Sequence, residues 1–266
     1  MAEATKRTAL ITGSTKGIGR AVADALAAEG YHVLVNGRKA EDVKKVADEI
    51  RAAYPAATVT EVPGDASTKE GTQEIITITD GIGQPLDVLV CNVGIYGTHD
   101  FFDVPEEKWL QFFQVNIMST VRLSQYYLKK MIARDAGRLI VISSEAAFKP
   151  VPMMVHYSMT KGAQVNLARG MAELTKGTNV TVNTVLPGPT ATEGVSEYFA
   201  GLARDEGKET DEVIKEYFKA HEPNSLLQRL LKPEEVANLV AYVASEKSSG
   251  TNGAALRVEG GLLRSI

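Results

Sequence analysis

Tyr157 and Lys161 are the residues whose types and spacing most directly indicate chemistry, and they lie four positions apart in the stretch HYSMTK. On a helix, residues at that spacing share one face. An ammonium beside a phenol stabilises the phenolate and lowers the tyrosine pKa from its usual value of about 10. A general acid or base works best when its pKa lies near the operating pH. The pair therefore predicts a tyrosine that transfers protons, unless it is a coincidence on the surface.

Two polar residues upstream can complete a reactive group. Ser144 follows the apolar run RLIVIS, and Asn116 lies in a long helical stretch. A serine hydroxyl can donate a hydrogen bond to a substrate oxygen as negative charge develops there. Asn116 is suited to hold a water that links Lys161 to solvent. Together with Tyr157, these residues predict an acid–base site if the fold brings them to one crevice.

The rest of the chain alternates short apolar runs with longer amphipathic stretches. Several apolar runs have no polar face, which is typical of parallel strands covered on both sides. Helical patterns lie between them, including a long stretch at 105–133 and a later helix that begins at Pro233. This alternation predicts an α/β fold: a doubly wound parallel sheet of the Rossmann type, about seven strands wide, with helices on both faces. The predicted strands are 8–12, 32–36, 58–62, 87–91, 138–143, 179–186 and 254–258.

The segment 190–222 breaks this alternation, because it is charged and irregular. It follows the predicted strand 179–186, and ligands bind beyond the carboxyl ends of strands in such sheets. The segment is therefore suited to act as a substrate lid; the alternative is a solvated surface excursion. No linker or internal repeat divides the chain, so we expect a single domain over residues 1–266.

The stretch TGSTKGIG lies between the first predicted strand and the first helix. Glycines there allow a tight turn, a close approach of the backbone to phosphate, and close packing of the helix on the strand. The helix N-terminus adds free N–H groups and a positive dipole for a pyrophosphate. The stretch therefore predicts a dinucleotide-binding loop formed by Gly13, Ser14, Thr15, Lys16, Gly17, Ile18 and Gly19.

The residues after the second strand indicate which dinucleotide binds. NAD-binding proteins usually have an acidic residue there for the adenosine ribose, whereas this chain has Gly37 and Arg38. Arg38 and Lys16 would attract a 2′-phosphate that a carboxylate would repel. The sequence predicts a preference for NADP(H) over NAD(H), unless both cations are merely solvated. Asp65 and Ala66 come after the third strand. The Asp65 carboxylate can accept a hydrogen bond from adenine, or it can stabilise a turn.

Composition disfavours several classes of function. The 266 residues carry a net charge of −4 with dispersed Lys and Arg, which gives no basic surface for nucleic acid. No apolar run approaches the roughly 18 residues of a membrane span, and the first strand begins too early for a signal peptide. The single cysteine, Cys91, excludes an internal disulfide and reads as a small buried hydrophobe. We expect a cytoplasmic protein without a metal site.

These motifs together resemble those of the short-chain dehydrogenase/reductase family over residues 6–266. The family's T-G-x-x-x-G-x-G loop corresponds to TGSTKGIG, and its N-A-G-like turn corresponds to CNVG at 91–94. Its Asn/Ser/Tyr-x-x-x-Lys tetrad corresponds to Asn116, Ser144, Tyr157 and Lys161, and its P-G turn to PG at 187–188. The resemblance implies hydride transfer between a nicotinamide and a carbonyl or carbinol carbon, with Tyr157 moving the proton and Lys161 also holding the nicotinamide ribose. The closing RVEGG implies a homotetramer. The resemblance further implies cofactor contacts from Asn92, Val93, Gly94, Pro187, Gly188, Thr190 and Thr192.

Two residues near these motifs need separate interpretation. Val93 departs from the family's usual alanine and adds bulk beside the expected adenosine ribose. His156 precedes Tyr157, but neighbouring residues on a helix point apart, so we interpret it as a packing residue.

The leading hypothesis is an NADP(H)-dependent oxidoreductase that acts on a small-molecule carbonyl or secondary alcohol. One alternative is a non-catalytic NADP-binding sensor or scaffold with the same fold, which a turnover assay distinguishes. An epimerase or dehydratase is a third reading, which the length of the chain disfavours.

Overall fold

Seven strands, connected by helices, organise the chain in the computed structural model, which describes residues 6–265. The strands are β1 (Thr8–Ile11), β2 (His32–Gly37), β3 (Thr58–Pro63), β4 (Val88–Cys91), β5 (Gly137–Ile142), β6 (Val180–Pro187) and β7 (Ala255–Val258). The helices are α1 (Gly17–Ala28), α2 (Ala40–Ala53), α3 (Lys69–Gly81), α4 (Glu106–Phe112), α5 (Ser119–Arg134), α6 (Val155–Glu173), α7 (Glu193–Glu206), α8 (Thr210–His221) and α9 (Pro233–Ala244).

All seven strands are parallel, in the order β3-β2-β1-β4-β5-β6-β7. The chain builds outward from β1 in one direction and then from β4 in the other. At such a switch point the connections diverge, and a crevice opens beyond the carboxyl ends of the strands. The predicted doubly wound Rossmann-type sheet is confirmed, with helices on both faces.

Alternate residues of the strands enter two apolar layers, one on each face of the sheet. In β1, Ala9 and Ile11 belong to the layer that contains α1, α2 and α9, whereas Leu10 belongs to the layer of α3, α5 and α6. All three side chains are fully buried. Because side chains alternate along a strand, burial on both faces explains why several of these strands lack a polar face.

The long helical stretch predicted at 105–133 is divided by an irregular turn. α4 ends at Phe112, residues Phe113–Met118 form a π-helical turn, and α5 begins at Ser119. Such turns occur mostly as local insertions in α-helices, often at functional sites. Asn116 lies in this turn.

The segment 190–222 folds as a hairpin of α7 and α8. The two helices pack through a small apolar cluster that includes Phe199 and Val213. At its base the Ala191 N–H donates to the Leu231 carbonyl at 2.8 Å, so the chain leaves and rejoins the sheet at one place. None of the helices in the described part of the chain has the length and apolar character needed to cross a bilayer.

Candidate active site

The glycine loop joins β1 to α1 at the crevice. Gly13 and Gly17 have φ values of +64° and +58°, a left-handed backbone that side chains disfavour. Gly19 has a different role: a Cβ there would lie 2.4 Å from the Gly13 carbonyl oxygen and 2.5 Å from the Asn92 side-chain nitrogen. Two glycines permit the turn, and the third permits close approach of the helix to the strands.

Asn36 holds this loop to the sheet, a role that the sequence alone did not indicate. Its Oδ1 accepts from the Gly13 N–H at 3.1 Å, and its Nδ2 donates to the carbonyl oxygens of Val62 at 2.8 Å and Gly64 at 3.1 Å. The buried Ser14 pairs with the backbone of Asn36 through both its N–H and its hydroxyl. The side chain of Ser14 thus holds the loop to β2, and its contact with the cofactor stays a prediction.

The rest of the loop leaves donors available at the start of α1. Lys16 is exposed, while Thr15 and Ile18 are half-buried. No side chain in the described part of the chain caps α1, so the N–H groups of its first turn are open to an anion. The Thr15 methyl group lies 2.6 Å from the place of a Cβ at Gly37, which explains the glycine at the end of β2.

Arg38 and Asp65 line one depression of about 420 Å³ beyond the ends of β2 and β3. Arg38 is exposed and forms no hydrogen bond or ion pair with any residue in the range 6–265. Asp65 Oδ1 accepts from the N–H and hydroxyl of Ser67, at 2.9 and 2.7 Å. The turn role considered for Asp65 is thus observed, and Ala66 beside it is buried.

The residues after β4 close the other side of the glycine loop. Asn92 Nδ2 donates to the carbonyl oxygens of Thr12 and Gly13, at 3.0 and 3.2 Å. A methyl carbon of Val93 lies 3.1 Å from the place of a Cβ at Gly13, so the extra bulk of valine packs on the loop. Gly94 follows at the edge of the crevice and is exposed.

Asn116 is fully buried and connects three segments. Its Oδ1 accepts from the Ile95 N–H at 2.8 Å, and its Nδ2 donates to the Ile95 carbonyl at 3.1 Å and to Thr160 Oγ1 at 2.9 Å. The Asn116 carbonyl accepts from Gln164 Nε2 at 2.8 Å. Since both amide hydrogens are donated within the protein, a water between Asn116 and Lys161 could only be bound through an oxygen lone pair.

Ser144 is buried at the end of β5, where it begins a short 3₁₀ turn. Its hydroxyl accepts from the Ala146 N–H at 3.2 Å and donates to Glu145 Oε2 at 2.5 Å. Glu145 had not been identified from the sequence; the available signal was an acidic residue directly after the serine. Burial raises the pKa of Glu145, the nearby Glu222 raises it further, and the Ser144 hydrogen bond opposes the change.

Lys161 lies on α6 with 4% of its surface exposed. Its ammonium lies 5.5 Å from the centroid of the Tyr157 ring and donates to the Ile142 carbonyl at 3.1 Å. The Ser143 hydroxyl donates to the Lys161 carbonyl at 2.8 Å, which ties α6 to the end of β5. Burial lowers the pKa of Lys161 to about 8, and the charge of Glu145 only partly offsets that fall.

Tyr157 has the opposite pKa shift from the one predicted. Burial raises its pKa, the Glu145 carboxylate raises it further, and a hydrogen bond with Ser144 only partly counteracts them. The expectation that Lys161 acidifies the phenol is therefore wrong for this structure. The physical reason is that a phenolate loses its hydration when it is buried and is repelled by the negative charge of Glu145. Both effects favour the neutral phenol.

The P-G turn after β6 lies against the C-terminal strand and the glycine loop. β6 ends at Pro187, and a Cβ at Gly188 would lie 2.8 Å from the Glu259 backbone. Thr190 is buried and donates its hydroxyl to the Gly188 carbonyl at 2.8 Å. The methyl carbon of Thr192 lies 3.1 Å from the place of a Cβ at Gly17. The base of the α7–α8 hairpin thus borders the predicted phosphate site.

Two contacts connect the hairpin to the crevice walls. Lys149, in the loop after β5, forms an ion pair with the buried Glu222 at the end of α8. The Tyr96 hydroxyl packs against Gly194 in α7, where a Cβ would lie 2.9 Å from it. Burial raises the pKa of Tyr217 in α8, and the charges of Glu222 and, to a smaller extent, Glu145 raise it further. The hairpin therefore lies over the same side of the crevice as Glu145.

His156 and Cys91 are both packed in the interior. The His156 ring is fully buried, with ring centroids 4.3 Å from Phe112 and 6.0 Å from Trp109. This agrees with the packing role predicted for His156. Burial raises the pKa of the Cys91 thiol to about 12, consistent with a small buried hydrophobe. Among the residues described, no group of three or more His, Cys, Asp or Glu side chains could hold a metal ion.

The parallel sheet and its switch-point crevice, with Ser144 at the end of β5 and Tyr157 and Lys161 on α6, form the arrangement of a Rossmann-type oxidoreductase. The model of the family described as short chain dehydrogenase matches residues 7–203, which is more than half of the chain. The chain belongs to the short-chain dehydrogenase/reductase family, as the motifs predicted.

Individual relatives match over nearly the full length. The uncharacterized oxidoreductase YvrD of Bacillus subtilis is 51% identical over 257 residues, which cover 97% of this chain and 96% of YvrD. The structure of L-sorbose reductase from Gluconobacter frateurii, complexed with NADPH and L-sorbose, has a TM-score of 0.92 and 28% identity, with 98% of each chain covered. The structure of YwfH, an NADPH-dependent reductase involved in bacilysin biosynthesis, has a TM-score of 0.89 and 25% identity and covers 98% of this chain and all of that one.

Proposed function

We propose that this protein is an NADP(H)-dependent oxidoreductase that interconverts a carbonyl and a secondary alcohol in a small-molecule substrate, with Tyr157 as general acid and base. The observation that carries the proposal is the buried Lys161 ammonium beside Tyr157, next to Ser144 and at the crevice that the glycine loop borders. A buried ammonium without a bonded carboxylate is costly, so a chain that retains one there has a use for it.

The chain's own residues fit a bound dinucleotide. The glycine loop forms a cradle that a larger residue would fill. Gly13 and Gly17 have positive φ values, and there is no room for a Cβ at Gly19. The first turn of α1 offers backbone N–H groups to a pyrophosphate. Thr192 and the turn after β6 border this cradle, and Lys161 would donate to the nicotinamide ribose. The dinucleotide, when bound, supplies the hydride.

The preference for NADP(H) is supported by charge at the end of β2. Arg38 lines a depression with Asp65 and has no partner among residues 6–265. A planar guanidinium can bind a 2′-phosphate through two parallel hydrogen bonds. Lys16 adds a second cation nearby in the glycine loop. Two similar structures, L-sorbose reductase and YwfH, are described with NADPH, which agrees with this preference.

The chemistry assigned to each residue follows from its surroundings. The raised pKa keeps Tyr157 protonated near neutral pH, so it can donate a proton to a carbonyl oxygen that gains negative charge during reduction. Ser144 would donate a second hydrogen bond to the same oxygen. Lys161 adds positive charge that stabilises this oxygen. In the reverse direction the phenol must first lose its proton, and the Tyr157 phenolate would then accept the alcohol proton.

The remaining features complete the proposal. The α7–α8 hairpin at 190–222 acts as the substrate lid, since it is joined to the crevice wall through Lys149 and Glu222. A homotetramer, a single domain over the whole chain and a cytoplasmic location are proposed on the family resemblance and on the single buried cysteine.

The test is NADPH oxidation against a panel of ketones and aldehydes, measured for the wild type and for Tyr157→Phe. We expect Tyr157→Phe to lower kcat by about 10²- to 10⁴-fold, the usual contribution of general acid–base catalysis, without loss of NADPH binding. Tyr242→Phe, on the outer face of α9, serves as the matched control and should retain wild-type turnover. NADPH binding without turnover of any carbonyl by the wild type would instead favour a non-catalytic sensor.

A further inference from the structure

Glu145 places a carboxylate beside the proposed reaction centre, where the mechanism above gives it no role. It follows Ser144 directly and is only partly exposed. Its Oε2 accepts the Ser144 hydroxyl at 2.5 Å. Within the described range 6–265, the only other donor to this carboxylate is the backbone N–H of Glu145 itself. One carboxylate oxygen therefore remains able to accept a hydrogen bond from a bound molecule.

The charges around Glu145 do not neutralise it. Lys149, the cation in the loop after β5, is paired with Glu222 instead. Glu222 is itself buried, and its repulsion contributes to the raised pKa of Glu145. Lys161 donates to the Ile142 carbonyl rather than to Glu145. A partly buried carboxylate without a bonded cation requires hydrogen-bond donors.

Ser144 cannot satisfy Glu145 and a substrate at the same time. A serine hydroxyl carries one hydrogen, and here that hydrogen is donated to Glu145. If Ser144 turns to donate to a substrate carbonyl oxygen, Glu145 Oε2 loses its donor. The cost of leaving a charged acceptor without a donor is large compared with the net gain from one new hydrogen bond. A substrate that brings its own donor removes this cost.

We propose that Glu145 accepts a hydrogen bond from a hydroxyl group of the substrate, next to the reacting carbonyl, and so selects hydroxylated ketones and their corresponding polyols. The inference rests on the proposed function, because it assumes that Ser144 binds the carbonyl oxygen. When Ser144 turns away, a donor on the vacated Glu145 Oε2 lies within about 5 Å of the Ser144 Oγ position, given hydrogen bonds of about 2.7 Å. That span matches a hydroxyl on the carbon adjacent to the carbonyl, or one carbon further.

The same charges disfavour other polar substituents at this position. A carboxylate would meet repulsion from Glu145 and Glu222. An ammonium would be attracted by Glu145 but would lie close to the buried, positively charged Lys161, whose pKa Glu145 affects. An alkyl group would leave Glu145 without a donor. A neutral hydroxyl satisfies the carboxylate without adding charge.

The test uses three ketones of equal size with NADPH: hydroxyacetone, butanone and aminoacetone. We expect the wild type to have a kcat/KM for hydroxyacetone at least 10-fold above that for butanone, and Glu145→Gln to reduce this ratio by about 10- to 100-fold, the range for a hydrogen bond to a charged group. Most of the loss should appear in KM for hydroxyacetone. Glu145→Asp keeps the charge but retracts it, and should give an intermediate ratio. Glu234→Gln, the same change at an exposed position of α9, should leave the ratio unchanged.

The outcomes separate the two proposals. If the wild type reduces these or other ketones but favours butanone or aminoacetone, or if Glu145→Gln leaves the ratio intact, Glu145 does not select a hydroxyl and only this inference fails. If the wild type reduces no carbonyl at all, the proposed function fails and the inference falls with it. Thermal unfolding and NADPH binding of each variant establish that it is folded; should Glu145→Gln not fold, the Glu145→Asp ratio decides.

Discussion

The Lys161 ammonium donates to the Ile142 carbonyl at 3.1 Å and forms no ion pair with any residue between 6 and 265. It lies 5.5 Å from the centroid of the Tyr157 ring, so its positive charge is close to the phenol, yet burial dominates the behaviour of both groups. The protein therefore holds an unpaired cation in its interior. Such a group reduces stability and is retained where activity requires it.

Replacing Lys161 by methionine should stabilise the protein while abolishing turnover. A fall in pKa from 10.5 to about 8 corresponds to about 3 kcal/mol of unfavourable free energy for the charged form in the fold. Methionine fills similar space without a charge, so the free energy of unfolding at pH 7 should rise by up to that amount. Chemical denaturation of the cofactor-free protein measures it, and ketone reduction by NADPH measures the loss of activity.

The pH dependence of stability provides an independent check on Lys161. Because its pKa is lower in the fold than in the unfolded chain, the unfolded state binds more protons between about pH 8 and 10.5. Stability from this group should therefore increase as the pH rises through that window, with the full penalty present below it. Lys161→Met should lose this increase, and the exposed Lys129→Met should keep it. Because buried groups with raised pKa values, such as Cys91, act in the opposite direction, the difference in stability between the wild type and Lys161→Met is the quantity that decides. A difference that stays constant through the window would contradict the unpaired cation.

Glu145 should also set the pH range of the reduction. Tyr157 must be protonated to donate, so reduction proceeds below its pKa and declines as the pH rises through it. The Glu145 carboxylate raises that pKa, and removal of its negative charge should lower it. In Glu145→Gln, the alkaline decline of kcat/KM should therefore begin at lower pH than in the wild type. An unchanged or higher midpoint, from the rate profile with one ketone, would show that Glu145 does not act on Tyr157.

Hydrophobic pattern and glycine spacing predicted the fold well, because both reflect constraints that act locally along the chain. A strand buried on both faces has no regular polar face, and the turn at Gly13 and Gly17 tolerates few other residues. These requirements can be recognised without coordinates. The alternation of strands and helices predicted a doubly wound sheet, and the structure supplied the order of its strands.

The site was less predictable, because its details depend on side-chain contacts between distant parts of the chain. The π-helical turn at Asn116 is held by Thr160 and Gln164 of α6, and spacing along the sequence does not reveal that contact. The sign of the Tyr157 pKa shift depends on burial and on Glu145, neither of which is part of the Tyr-x-x-x-Lys motif. The hydrogen bonds between Ser14 and the backbone of Asn36 in β2 likewise join positions that are distant along the chain.

Arg38 should determine the choice between the two dinucleotides. Arg38→Asp replaces an unpartnered cation with a carboxylate, which repels a 2′-phosphate and can accept hydrogen bonds from ribose hydroxyls. We expect the ratio of kcat/KM for NADPH to that for NADH to fall at least 10-fold, with a smaller fall at high salt because exposed charges are screened. Lys45→Asp, an exposed charge reversal on α2, is the control. If Arg38→Asp keeps the wild-type ratio, the assignment of Arg38 to the 2′-phosphate is wrong.

Gly19 and Gly170 form a matched pair of helical glycines with opposite expected responses to alanine. A Cβ at Gly19 would lie 2.4 Å from the Gly13 carbonyl oxygen, whereas one at Gly170 in α6 would meet nothing within 4 Å. Gly19→Ala should therefore cost about 1–3 kcal/mol of stability through overpacking and should weaken NADPH binding, because α1 must move away from the glycine loop. Gly170→Ala should add about 0.5–1 kcal/mol, since it removes only the conformational freedom of glycine. Denaturant unfolding and NADPH titration measure both variants. If the two variants are equally stable, the close packing of α1 on β1 and β4 does not explain why position 19 is glycine.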